Sequence, residues 1–337
     1  MKTFRNNLAL CVALTVLIVC SSWGFLMHRT ITQLSIYQLP KEMQPFFSQN
    51  MDYLIKNSVR PDERRNSDRT EATKHFIDLE AYGENAEKNM PTKWDAAVAM
   101  YTKDTLLKYG HVPYWIIEMK ARLANAFDKE DRDSILFYAA DIAHYIEDAN
   151  VPLHTTLNYD GQLSGQKGIH ALWESVVPEL TLQDYDLEGK KKAKYLKNPE
   201  EAIWKAIRHT NSLVREVLDA EKEVTKDFTE ETKYRIQKRN GRDVKYYTRN
   251  FALAYSKKLG STINDQAVRA ADLVADFWYT AWVDGGKPDL SKVLTRKPDT
   301  AAEKKISDEI KAYRKNELLK KGWLVAKKDA VADGGEN

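Results

Sequence analysis

Histidine and carboxylate recur four residues apart at His144 with Asp148, and again at His170 with Glu174. On a helix, each such pair projects from one face with its Cβ atoms roughly 5 to 6 Å apart, near enough to hold one cation. Alone, a pair of this kind is usually a hydrogen-bonded couple of the core. His154, in Pro152-Leu153-His154, stands between the two pairs, so five potential ligands fall between positions 144 and 174. That density is odd as core filling. Imidazole and carboxylate together suit a borderline cation such as zinc where no thiolate is at hand.

The elements that must carry these groups are helical. Around His144, the apolar residues Ile135, Leu136, Phe137, Ala139, Ala140, Ile142, Ala143 and Ile146 predict a helix buried over much of its girth. Asn198-Pro199-Glu200-Glu201 combines an N-cap residue, a proline at the first helical position and a capping-box glutamate, and so starts another long helix. A third core helix spans about 264–283 and stops before Gly285-Gly286. With 337 residues, 43% of them hydrophobic, but only Gly 14 and Pro 10, the chain can fill a large core and is poor in turn formers. The expected class is all-α, a multi-helix bundle. From about Asp289 the composition becomes rich in Lys and Glu, with Ile306, Ile310 and Tyr313 as one thin apolar stripe. Residues 289–337 are therefore read as a charged helix and tail, with a solvated or a membrane-touching polar face.

Residues 1–22 read as a secretory signal: Lys2 and Arg5 form the basic end, 8–20 are apolar, and Ser21 and Ser22 offer small residues for cleavage before Trp23. A retained anchor and a lipoprotein processing site compete with this reading, although the apolar run is shorter than the ~20 residues a spanning helix needs. Cys11 and Cys20, the only cysteines, both lie in this segment, so a chain starting at Trp23 would have no disulfide, thiolate ligand or cysteine nucleophile. The net charge of +3 leaves no global excess that would advertise nucleic acid or an anionic membrane.

Taken in order, His144, Asp148, His154, His170 and Glu174 resemble the ligand run of the trinuclear-zinc phosphoesterases, the family of bacterial zinc-dependent phospholipase C and the single-strand-specific nucleases of the S-one/P-one type. Further segments share the likeness: Trp23-Gly24-Phe25-Leu26-Met27-His28, Arg60-Pro61-Asp62, Lys74-His75-Phe76-Ile77-Asp78, and Gly110-His111-Val112-Pro113-Tyr114. The resemblance runs from Trp23 to about Glu174, within a helical phosphoesterase domain at 23–288, and implies a bundle around a trinuclear zinc cleft.

By that resemblance, one zinc takes Asp62, His75, His144 and Asp148. A second takes the α-amino group and carbonyl of Trp23, His28 and the shared Asp148, and a third takes His154, His170 and Glu174. His111 and His209 are left as structural histidines. Asp62 is implied as the catalytic base or water-orienting group, while Phe76 and Asp78 are implied as substrate contacts. Arg64 and Arg65 either hold phosphate or form a solvated charge run. Three Zn²⁺ set against three carboxylates leave a positive cavity, suited to a phosphodiester anion.

The substrate implied is phospholipid or single-stranded nucleic acid. Glu174 and the short gap from His154 to His170 favour the phospholipase C branch, whereas residues 23–28 favour the nucleases. A third reading keeps the zinc for folding alone, in a non-catalytic binding protein. The expected product is a secreted, periplasmic or envelope-located monomer with no stable protein partner.

Overall fold

The computed structural model describes residues 25–189, 191–239 and 241–327, and is mostly helical. The reading of Trp23 as a ligand, the leader over 1–22 and the tail beyond 327 lie outside the described residues. Helix α1 is Phe25–Ile36, α2 Met51–Asn57, α3 Val112–Asp128 and α4 Arg132–Asp148. Further along come α5 Pro199–Ser212, α6 Val214–Thr225, α7 Arg249–Leu259, α8 Thr262–Asp284 and α9 Thr300–Tyr313. Further helices and turns of three to eight residues connect them.

The local signals work as their chemistry requires. The Asn198 side chain accepts from the Glu201 N–H at 3.0 Å and starts α5 with Pro199 in its first turn. Asp131 caps α4 by accepting from the Ser134 N–H. Along α4, Ala139, Ala140 and Ala143 are fully buried, and these small side chains let α3 and α8 pack closely against it. The Trp278 indole of α8 donates to the Ala139 carbonyl at 3.0 Å. α8 runs two residues further at its start and one at its end than the sequence pattern suggests, and stops at Gly285, where a Cβ would press on the Ala124 carbonyl of α3.

Two clusters of buried side chains result. The larger joins α1, α3, α4, the middle of α8 and the C-terminal part. Ile310, Ala312 and Tyr313 of α9 are buried in it, and Gln38 donates to the Tyr313 hydroxyl at 3.0 Å. The smaller cluster gathers Leu153, Ile169, Leu172 and Trp173 with α6, α7 and Ile263. The histidine-bearing segments lie along the seam between the two.

One antiparallel ribbon, β1 Tyr234–Arg239 with β2 Arg242–Tyr247, interrupts the helical pattern and pairs with no third strand among the described residues. No helix among the described residues is long and apolar enough to cross a membrane.

Candidate metal centre

α4 supplies the middle of the site because its spacing places His144 and Asp148 on one face, both fully buried. α1 adds His28, whose ring stacks on His144 with centroids 4.3 Å apart. His75 follows a single 3-10 turn, Ala72–Lys74, and Asp62 sits in the short helix Arg60–Arg64. His154 lies in the turn Pro152–Thr155, and a left-handed Gly168 redirects the chain into Ile169–Ala171, which carries His170. Glu174 belongs to one wider π-helical turn, Leu172–Val176, a local geometry common at functional positions.

These side chains converge as three overlapping groups, each able to surround one cation: His28, His144 and Asp148; Asp62, His75 and His144; His154, His170 and Glu174. Asp148 links them. Its Oδ2 lies 2.8 Å from His75 Nδ1 and 3.3 Å from His144 Nε2, while its Oδ1 lies 3.6 Å from His28 Nε2 and 3.8 Å from His154 Nδ1. Asp62 Oδ1 stands farther out, 3.7 Å from His75 Nδ1 and 3.9 Å from His144 Nε2. In the third group His170 Nε2 is 2.8 Å, and His154 Nε2 3.6 Å, from Glu174 Oε2. Glu174 Oε1 is also 3.6 Å from His28 Nε2, so the groups meet on that side too.

The outward ring atoms show why a cation fits. His144 Nδ1 faces the Ser58 carbonyl at 2.8 Å, His154 Nδ1 the His75 carbonyl at 2.7 Å, and His170 Nδ1 the Tyr159 carbonyl at 3.1 Å. A carbonyl only accepts, so each Nδ1 carries the proton and each neutral Nε2 turns a lone pair inward. His154 Nε2 and His170 Nε2 then face one another at 3.2 Å. Two lone pairs at that distance repel unless a proton or a metal ion lies beside them. Without metal, the charge balance is kept by protons: against the lowering effect of burial, Asp148 and Glu174 pull His154 up to about 9. Burial alone would raise Asp148, but His144, His154 and His75 hold it well below the usual carboxylate range.

Two residues missed in the sequence complete the setting. Glu147 accepts from His28 Nδ1 at 2.6 Å and from the Thr32 hydroxyl at 2.9 Å, binding α1 to α4. Glu71, fully buried, accepts from Lys74 at 2.7 Å and from Arg64 and Tyr145, and stands 3.6 Å from His75 Nε2. A signal for it was present, because Glu71 and His75 repeat the carboxylate and imidazole spacing of four. Arg64 departs from both sequence readings: its guanidinium binds Asp141 at 2.8 Å as well as Glu71, so it neither lies free in solvent nor faces the groups as a phosphate holder. Arg65 pairs with Asp62 at 3.2 Å.

His111 and His209 take no part in the groups. Burial and the nearby Lys74 push His111 down to about 4, which keeps it neutral among Trp94 and Trp115. Phe76 is half-buried and crosses Gly110, where a side chain would overlap the Phe76 backbone. Asp78 donates its N–H to the Tyr109 carbonyl, and burial together with Glu80 lifts its carboxyl to about 6.

No protein-family model matches the chain, and no curated protein sequence matches it. Among solved structures, it is similar to the alpha toxin of Clostridium absonum, at 15% identity over 78% of this chain, with a TM-score of 0.45. It is also similar to the alpha-toxin of Clostridium perfringens from avian strain SWCP, at 12% identity over 78% of this chain, again with a TM-score of 0.45. The chain spans 65% of the length of each of these.

Proposed function

We propose that the protein is a zinc-dependent phosphodiester hydrolase of phospholipase C type, exported through the segment 1–22 and acting as a monomer. The observation that carries this is the convergence of His28, Asp62, His75, His144, Asp148, His154, His170 and Glu174 into three contiguous donor groups. That donor set would suit three Zn²⁺, one per group; Trp23, assigned to the group of His28 by the resemblance alone, lies outside the described residues.

When bound, zinc supplies Lewis acidity, lowering the pKa of water and steadying negative charge on a phosphoryl oxygen. The protein's own groups do the rest. Asp148, with its carboxylate oxygens 2.8 to 3.8 Å from ring nitrogens of His75, His144, His28 and His154, lies between the groups and sets their spacing. The carbonyls at Ser58, His75 and Tyr159 hold three rings in the tautomer that points Nε2 inward. Asp62 is the more exposed carboxylate, its side chain 23% exposed against 2% for Asp148, which supports assigning to it the acceptance of a proton from an attacking water. Leaving-group oxygens would emerge at His170, the most exposed imidazole of the three groups at 28%. Phe76 and Asp78 lie beside His75 in the chain as candidate contacts for the alcohol or head group.

The deciding experiment compares hydrolysis of phosphatidylcholine vesicles and of single-stranded DNA by the zinc-loaded chain starting at Trp23, with a chelated control and a metal count. Zinc-dependent release of phosphocholine is expected. Preferential cleavage of DNA would move the protein to the nuclease branch, and zinc binding without either activity would leave a protein that uses its metal for folding.

A further inference from the structure

The ribbon β1/β2 concentrates charge that the whole chain does not show. Between Tyr234 and Tyr247 lie five basic residues, Arg235, Lys238, Arg239, Arg242 and Lys245, and one acid, Asp243, a net +4 against +3 for all 337 residues. Lys245 pairs with Glu230, and the Arg235 guanidinium lies 5.8 Å from the centre of the Tyr246 ring. Arg235 and Lys238 are exposed, with no carboxylate partner among the described residues. Between them Ile236 is 64% exposed.

An isolated two-stranded ribbon is marginal in water, so its base must be held. Lys233, 5% exposed, lies 2.7 Å from the buried Glu221 and within 5.0 to 5.7 Å of the Tyr234, Tyr247 and Phe251 ring centres. Glu221 also accepts from Tyr247 and from Gln166, and Tyr247 donates to the Gln166 carbonyl at 3.3 Å. Gln166 belongs to the loop that delivers His170 to the metal centre. The same loop exposes Leu163 at 71% and Tyr159 at 52%. Through Tyr247 and Gln166 the basic ribbon is thus anchored to the same loop that carries these bare apolar side chains and leads to His170.

We propose that this ribbon, together with the exposed Leu163 and Tyr159 of the loop on which its base packs, docks the protein on an anionic phospholipid bilayer. Clustered basic side chains are drawn to the negative surface potential of an anionic leaflet. A single-stranded nucleic acid fits less well, because successive bases need several stacking platforms, and with the Tyr234 and Tyr247 rings packed against Lys233 and Phe251 this surface offers Tyr159 and a half-buried Tyr246 that Arg235 approaches. The inference does not depend on turnover.

The test is co-sedimentation of the full chain with vesicles of phosphatidylcholine alone and of phosphatidylcholine with phosphatidylserine, at low and high salt, beside the variant Arg235→Glu/Lys238→Glu. Preferential binding to the serine-containing vesicles is expected, weakened by salt and by at least about tenfold in the variant, since each basic side chain contributes roughly fivefold. Hydrolysis of a soluble short-chain phosphodiester should be the same in both proteins. Equal binding to both vesicle types, or equal binding by parent and variant, would overturn the proposal, leaving the charges as guards of two open strand edges. Tighter, variant-sensitive binding to single-stranded DNA would overturn it in favour of nucleic acid. Vesicle binding without any hydrolysis would leave the docking role intact and remove the hydrolase reading.

Discussion

His28 is oriented by a residue that binds no cation itself. Its Nδ1 is claimed by Glu147 at 2.6 Å, which leaves Nε2 facing Asp148 and Glu174. A buried carboxylate behind an imidazole fixes the ring and raises its basicity toward a metal, and losing such a partner typically costs about 10–100-fold in metal affinity. Glu147→Gln keeps the shape and removes the charge, so zinc should be held more weakly while the helical content is unchanged. Competition against a chelator of known strength, followed by metal analysis, measures this; affinity equal to the parent's would show that Glu147 only packs. The residue was open to a closer reading, since it precedes Asp148 directly and Thr32 stands one turn after His28. What could not be read from one sequence was that α1 and α4 would lie side by side, because that contact joins positions 119 residues apart.

Whole elements depend on a few backbone positions. Gly110 has φ +86, and a side chain there would overlap the backbone of Phe76, the residue after His75. Gly110→Ala should therefore destabilise the protein by about 2–3 kcal/mol through a left-handed conformation combined with a clash, as read by urea unfolding. Gly260→Ala makes a useful comparison: φ is +62 with ψ −126, again a backbone that favours glycine, but nothing lies within 4 Å of the added carbon, so the clash is missing and the loss should be smaller than at Gly110. Equal effects would mean that Gly110 is kept for its backbone angle alone. At this scale the sequence was informative where signals were local. The cap at Asn198, the apolar girth of α4 and the body of α8, to within two residues at its start and one at its end, follow from neighbouring residues. The ribbon escaped although a local signal was present: Tyr234-Arg235-Ile236-Gln237 and Asp243-Val244-Lys245-Tyr246 alternate apolar with polar residues on either side of Asn240-Gly241, a dipeptide that favours a two-residue hairpin. What no local pattern shows is its anchorage by Lys233 and Glu221 at the base.

For the molecule as a whole, the donor groups act as a clasp. His28, His75, His144 and Asp148 are tied to the larger buried cluster, whereas His170 and Glu174 flank Ile169, Leu172 and Trp173 of the smaller one. The groups meet across that seam where Glu174 approaches His28 and Asp148 approaches His154, and metal held in them stabilises only the folded arrangement, so removing it with a chelator should lower Tm by roughly 5–10 °C and restoring zinc should reverse the loss. Scanning calorimetry tests this, and an unchanged Tm would mean that the two clusters hold together without metal. The sequence by itself determined the helical class and the types and local spacing of the donors: helix periodicity and four-residue spacing are encoded within one or two turns. Tertiary structure alone decided which donors share a group, that Arg64 turns to Asp141 and Glu71, and that Tyr313 sinks into the main core. Those outcomes depend on which helix faces meet, and that is settled by packing the whole chain at once, between residues that no local pattern connects.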